Sequence, residues 1–387
     1  MATQTGYKAS ELGMIPLDWD IVEFEEICQI RKQKVNPLFQ SGEFCVELEH
    51  LEPETGLLLG NTVTKPNSSI KTVFQNGDVL FGKLRAYLRK YWLANQDGVC
   101  STEIWAFVAT NKAINPFLFY VVQTEQFIKA ASEAYGTHMP RSDWNVVKNY
   151  LLPLPPLPEQ TAIATALSDT DALISSLQTL IAKKQAVKLA AMQNLLSGKI
   201  RLPAFAQRPD GSLKTTRQTE LGCVPEDWEV LELGSVAFIK TGSKNNQDKK
   251  ENGQYPFFVR SATVEQIDTY SYDCEAILIP GEGNIGSIFH YINGKFDAHQ
   301  RVYVIRDFYN VIGKFVFFAL KQNFGKHAME NTVKATVDSL RLPTFQNFKF
   351  AIPKSTTEQT AIAQLLSDMD AEIEALEGRL KKTQSLK

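Results

Sequence analysis

The segment FGKLRAYLRKY (residues 81–91) sets Lys83, Arg85, Tyr87 and Arg89 at every second position. In an extended strand alternate side chains share one face, so this spacing predicts three cations and an aromatic ring on a single surface. Such a surface can pair phosphates, read guanine edges through arginine, and stack on bases. A charged edge strand that blocks aggregation is the competing reading. In the second half of the chain His299, Arg301 and Tyr303 alternate in the same way, and Lys244 lies in the loop TGSKNN (residues 241–246). Thr137, His138 and Arg141 form a polar loop in the first half, and Lys334, Thr336 and Arg341 form one in the second. Gly281-Glu282-Gly283-Asn284-Ile285-Gly286 matches GxGxxG. A dinucleotide site of that kind needs a helix to follow, so that phosphate meets the helix N-terminus. Residues 287–296 (SIFHYINGKF) read instead as β, with a hairpin turn at Asn293-Gly294. A glycine-rich loop whose Gly283 and Asn284 let backbone approach a nucleic acid fits that context better.

Enzymatic signatures fail their own context tests. There is no GxxxxGK[ST] loop, no HExxH or paired-ligand spacing among the five histidines, and no CxxC among the five cysteines. Asn36-Pro37 and Asn115-Pro116 lack the second proline and aromatic of an amino-methyltransferase motif, and Pro209-Asp210 lacks a downstream acidic-x-lysine. The sequence therefore predicts no catalytic residue, cofactor or metal site in this chain. The scattered cysteines fit a reduced, cytoplasmic protein, and no apolar run approaches a membrane span. The net charge of −2 hides an asymmetry: residues 1–64 hold 4 basic and 11 acidic side chains, residues 65–158 hold 10 and 6. A localised basic stretch is the footprint of phosphate contact, although a solvated face of paired charges has the same composition.

The elements that must position these residues are written twice. ELGMIPLDW (residues 11–19) recurs as ELGCVPEDW (220–228), with six of nine positions identical. EQTAIATALSDTDALI (159–174) recurs as EQTAIAQLLSDMDAEI (358–373), with 12 of 16 identical. Between these motifs the two inserts share little, and two domains are expected from the length. The inserts read as mixed α/β, with strands at 78–81, 104–108, 276–279 and 301–305 and helices at 116–131 and 311–322.

The second motif opens a helix. Ile163, Leu167, Thr170, Ile174, Leu177 and Ile181 recur in a 4-3-4-3-4 rhythm, matched by Ile362, Leu366, Met369, Ile373, Leu376 and Leu380. That rhythm is a heptad seam and predicts helix-on-helix contact rather than packing onto each helix's own domain. Pro158 suits a first helical position, Ser355 and Thr356 stand three before Glu358 and Gln359 as in a capping box, and Gly198 offers a stop after Leu196 or Ser197. The first helix would span about 57 Å at 1.5 Å per residue. Tandem repeats associate about pseudo-two-folds as homodimers do, which makes the two helices antiparallel.

The opening motif, the closing PLPPLPEQ (residues 153–160) and the helix ending MQNLLSGKIRL (192–202) resemble the specificity subunit of type I restriction–modification systems. The resemblance spans essentially the whole chain. It implies target-recognition domains at 1–158 and 203–357, and long spacer helices at 159–202 and 358–387. The implied fold is mixed α/β, two DNA-recognition domains in pseudo-two-fold repeat separated by an antiparallel, coiled-coil helix pair. By the same resemblance each domain reads half of a bipartite, asymmetric double-stranded DNA site. The helices set the spacing and bridge two methyltransferase subunits, which restriction or translocase subunits join. S-adenosylmethionine, ATP and magnesium would belong to those partners. One departure stands out: after Lys188 the first repeat continues through residues 189–203, for which the second has no counterpart, so partner docking at that helix end is an open expectation. Two other readings compete, a stand-alone nuclease or methyltransferase and a structural coiled-coil adaptor. Activity of the purified chain alone would favour the first, and failure to shift random duplexes the second.

Overall fold

The computed structural model describes residues 6–36, 42–65, 69–133, 140–331 and 339–387. It forms two compact units, residues 1–174 with Lys387, and residues 175–386.

The first unit opens with the hairpin Tyr7–Ser10 and Gly13–Pro16, built from the opening motif. The strand that follows, Asp20–Glu23, pairs antiparallel with Leu151–Leu154. Between these frame strands lies a four-stranded sheet in the order Tyr91–Leu93, Val79–Gly82, Ile104–Ala109, Cys28–Ile30. A five-stranded sheet, ordered Lys34–Val35, Lys71–Phe74, Gly98–Ser101, Phe44–Val46, Thr62–Val63, completes the insert. The hydrophobic run Val79-Leu80-Phe81 shows why a buried strand forms here. Val79 and Phe81 enter one core with Phe24, Phe107 and Phe127, while Leu80 enters another with Phe74, Trp92 and Ala106. Alternation sends successive side chains into cores on opposite faces. The helix expected at 116–131 is two, Asn115–Val121 and Glu125–Ser132, because the Thr124 hydroxyl caps the second by accepting from Phe127 N.

The second unit repeats the frame around a different insert. Thr216–Thr219 and Gly222–Pro225 form the hairpin, and Trp228–Glu232 pairs with Lys349–Pro353. The register is the same in both units: Ile21 faces Pro153 and Val230 faces Ala351, positions related by the repeat. The insert is a six-stranded sheet, ordered Phe238–Thr241, Val302–Arg306, Tyr272–Pro280, His290–Ala298, Tyr255–Phe258, Val264–Ile267. Ile277 and Ile279 join the core containing the helix Gly313–Glu330, and Ala276 and Leu278 the core on the opposite face. Asn293-Gly294 is not a hairpin turn. It lies inside the strand His290–Ala298, opposite Glu275 and Cys274, and strand pairing on both flanks overrides the local turn signal.

The long helices are Leu157–Leu195, of 39 residues, and Thr356–Leu386, of 31. The capping box expected at 355–359 does not form, because its two side chains serve the domain instead. Glu358 takes Arg201, and Gln359 binds Ile312 N at 2.8 Å and Pro353 O at 2.8 Å. Gln160 does the same in the first unit, accepting from Ile114 N at 3.1 Å and donating to Pro155 O at 2.9 Å. These buried glutamines fasten each long helix to the N-terminus of a helix of its own insert, Asn115–Val121 or Gly313–Glu330, a role the sequence reading missed.

Within the second unit the two helices run antiparallel. Lys184 meets Glu372 at 2.7 Å, Gln185 meets Glu377 at 3.2 Å, and Lys188 meets Asp370. The apolar seam is shared between two jobs. Ile163 packs against the first unit's core, and Ile362 and Leu366 sit in a core with Met192, Leu195 and Leu196 of the first helix. Leu177, Ile181 and Ile373 are buried, whereas Leu167, Ile174, Leu376 and Leu380 are half-buried. No helix among the described residues is long and apolar enough to cross a membrane.

Candidate nucleic-acid interface

In the first unit, residues 83–90 are not a strand. Val79–Gly82 ends at Gly82, and Arg85 and Arg89 flank a 3-10 turn at Ala86–Leu88 in left-handed backbone, with φ of 55° and 52°. The four candidates therefore do not share a strand face; they ring the connection of a hairpin whose strands pair Phe81 with Tyr91. Tyr87 is 54% exposed and Leu88 38%. The exposed Arg85 and the half-buried Lys83 have no side-chain partner among the described residues. Arg89 is held by Glu125 at 2.5 Å, a pairing that pushes its guanidinium pKa further up. Lys83 O accepts from Ser142 N, and Arg85 N donates to Pro140 O, so Arg141 joins the same edge. Its Nε lies 2.8 Å from Glu103 Oε2. Solvent screens both pairs, so Arg89 and Arg141 can exchange a carboxylate for a phosphate at little cost. Thr137 and His138 lie outside the described residues, as do Lys334 and Thr336.

The second unit gathers its candidates at one end of the six-stranded sheet. His299 and Arg301 precede the strand Val302–Arg306 rather than alternating along it. His299 is buried, its Nδ1 accepting from Arg301 N at 3.0 Å. Burial, helped by Arg260 and Arg301, lowers its pKa and keeps the ring neutral at pH 7. Tyr303 is also buried and donates to Leu340 O. Arg301 is exposed and pairs with Glu282 at 3.3 Å, while Arg260 approaches the other oxygen of that carboxylate at 3.6 Å.

Gly281 N donates to Arg301 O, and Leu340 N to Gly281 O, which brings exposed Arg341 to this edge. Gly283 and Asn284 are exposed at the loop tip, and a strand rather than a helix follows at His290. Lys244 approaches Asp297 at 3.8 Å. Its loop can lie against the chain at Ala298 only because Gly242 has no Cβ, which would fall 2.1 Å from Ala298 O. Beside it the exposed Gln300 amide donates to Asn245 Oδ1 at 2.6 Å. Sequence reasoning missed Arg260, Glu282, Asn245 and Gln300, which have no spacing signal because separate loops deliver them.

Among the described residues no three histidine, cysteine, aspartate or glutamate side chains converge as a metal site. Burial pushes the thiols of Cys28 and Cys100 up, and that of Cys45 to about 11, so these groups stay protonated rather than nucleophilic.

Two mixed α/β units with one frame and two unlike cationic edges define a duplicated recognition module. Residues 16–186 and 225–384 match the type I restriction modification DNA specificity domain, and the chain belongs to that family, with two such domains in tandem. It is 25% identical over 395 residues to the type I restriction enzyme MjaVIII specificity subunit of Methanocaldococcus jannaschii, covering 93% of this chain and 88% of that one. It is 35% identical over 161 residues to the EcoDI specificity subunit of Escherichia coli, a match spanning 42% of this chain but only 35% of that relative. The fold resembles that of the type I restriction-modification S subunit from M. genitalium, with a TM-score of 0.65 at 16% identity, covering 95% of this chain and 93% of the other.

Proposed function

We propose that this chain supplies DNA sequence specificity to a type I restriction–modification complex, each unit reading one half of a bipartite, asymmetric target. The observation that carries this reading is the identical frame register around two different inserts, each presenting arginines and lysines from converging loops. Lysine and arginine supply the phosphate term that dominates affinity. Glu282, Asn245, Gln300 and the arginines supply donors and acceptors of the kind that discriminate base edges. The long helices carry two methyltransferase subunits, and translocating restriction subunits join that assembly. A structural neighbour with a TM-score of 0.52 comes from work on complex assembly of the type I system, which supports partner docking here. Chemistry, with its S-adenosylmethionine, ATP and magnesium, resides on those partners, and this chain is not itself an enzyme.

Methylome sequencing of the host with and without the gene tests the proposal. A two-part methylated motif should vanish on deletion. Persistence of every motif, or methylation or cleavage by the purified chain alone, would overturn it.

A further inference from the structure

Backbone strain is concentrated beside the cationic edge of the first unit. Five non-glycine residues among those described hold positive φ: Glu54, Arg85, Arg89, Asp307 and Asn310. Aspartate and asparagine enter that region several-fold more readily than other residues, so the last two follow from local preference. Glutamate and arginine have no such preference, and the three that remain meet in one corner. Glu54 N donates to Arg89 O at 2.8 Å, and Arg85 and Arg89 bracket the turn Ala86–Leu88. Left-handed backbone at such residues costs free energy that the surrounding structure must supply, and it gathers where a ligand is gripped.

The strain holds a fixed tip. Ala86 is buried in the core that contains Phe81, Tyr91 and Phe127, which pins the turn from below. Leu88 N donates to Arg85 O and Arg89 N to Ala86 O, closing it. On one side Arg85 N donates to Pro140 O. On the other, Tyr91 Oη donates to Glu54 O at 2.9 Å and Lys90 Nζ to Leu48 O at 2.6 Å. With Ala86 taken by the core, Tyr87 and Leu88 are the turn residues left exposed. The side chains of Lys83 and Arg85 beside them have no partner among the described residues. An apolar pair set among unpaired cations complements a duplex, with phosphates outside and stacked bases within.

We infer that Tyr87 and Leu88 form a wedge that enters the base stack of the half-site read by the first unit. Leu88 parts one base step, and Tyr87 stacks on the base so uncovered. Apolar side chains inserted in this way unstack and kink a duplex, and an aromatic face accepts any base. The flanking cations hold phosphates beside the opened step. A turn already fixed in the free protein loses little entropy on insertion, which accounts for the left-handed arginines. Pyrimidine–purine steps open most easily, so the parted step should be of that kind. The inference rests on the DNA-recognition reading and adds that this half of the target is deformed as well as contacted.

Permanganate, which oxidises unstacked thymines, is the probe. Thymine–adenine and cytosine–adenine steps, the easily opened kinds, carry a thymine on at least one strand. The full chain is bound to a duplex carrying the motif that methylome sequencing identifies, without methyltransferase subunits, which would extrude a base of their own. One step in one half-site should become reactive. Leu88→Ala should remove that reactivity and Leu88→Met should keep it, both with the wild-type salt slope, since no phosphate contact is lost. Tyr87→Ala should weaken binding about tenfold. Both side chains are exposed, so the variants are expected to fold, and circular dichroism checks this. A bound duplex whose thymines all stay unreactive would overturn the inference and leave DNA recognition standing. Reactivity that Leu88→Ala does not alter would do the same. If the full chain bound no duplex, the DNA reading would fall and the inference with it.

Discussion

Lys188 Nζ bonds Asp370 Oδ1 within the second unit, joining a seam position of the first long helix to a residue beside the seam of the second. Lys188 continues the 4-3 rhythm of the seam beyond Ile181 and Lys184, and it is buried, with its ammonium 5.8 Å from the Phe318 ring centroid. The repeat relates Lys188 to Lys387 and Asp370 to Asp171. In the first unit Lys387 meets Asp171 at 2.5 Å and lies 5.9 Å from the Tyr120 ring, the counterpart of Phe318. The heptad seam thus ends in a cation held between a carboxylate and an aromatic face, a polar position of the kind that fixes helix register.

A double-mutant cycle measures that contact. Lys188→Met should destabilise modestly, since its stem remains packed, and Asp370→Asn should do likewise. Asp370 is 43% exposed, so solvent screening limits the coupling to about 0.5–1 kcal/mol. Chemical denaturation of the two single variants and the double variant gives the number. Strict additivity would mean that the contact does not form in solution.

The Arg201 cluster makes an acid-sensitive joint. Burial opposes ionisation of Asp227, yet the hydrogen bonds from Arg201 and Lys214 outweigh it and hold that carboxyl at about 2. Burial raises the pKa of Glu358, and Arg201 only partly offsets this. A depressed Asp pKa stabilises the fold above its unfolded value of about 3.9, and that contribution fades as pH falls towards 2. Arg201→Ala lessens the depression, leaving Lys214 alone on Asp227, and strands Glu358 as a buried charge. Its melting temperature should fall furthest below wild type at pH 7, and the gap should narrow below about pH 4 as both carboxyls protonate. A gap independent of pH would assign Arg201 a packing role alone.

The hairpin connection at 83–90 separates charge from stacking. Lys83→Ala should weaken duplex binding and lower the salt slope by about 1, as loss of one phosphate contact predicts. Arg85→Ala should cost about 1–3 kcal/mol, and only on the cognate sequence, if its guanidinium reads a base. Tyr87→Ala should lower affinity while leaving the salt slope unchanged. Binding titrations at several salt concentrations distinguish these outcomes, and wild-type behaviour in all three variants would return this loop to a solvated surface.

The frame was legible in the sequence, and the sites only in part. Repeated motifs and a 4-3 rhythm are local signals, so both long helices could be read within a few residues of their ends. The strand-face argument at 81–91 failed because alternation holds only while the backbone stays extended, and two left-handed arginines break it at 85 and 89. Asn293-Gly294 misled for the opposite reason: a strong local turn preference was overruled by pairing on both flanks. Arg260 and Glu282 meet only through tertiary structure, and no spacing encodes that meeting.

The structure also shows where the two recognition halves can be exchanged. Trp228–Glu232 and Lys349–Pro353 belong to the frame, because their register repeats that of Asp20–Glu23 and Leu151–Leu154. A graft of residues 233–348 from another family member leaves that strand pair, Gln359 and both long helices intact. Since the insert's sheet and its edge residues lie wholly between those junctions, the chimera should alter one half of the methylated motif and preserve the other. The number of bases between the halves should also persist, because no residue of either long helix is replaced. Methylome sequencing of cells expressing the chimera with its partner subunits reads all three at once. Change in both halves would show that recognition is a joint property of the two domains, and the modular reading would fail.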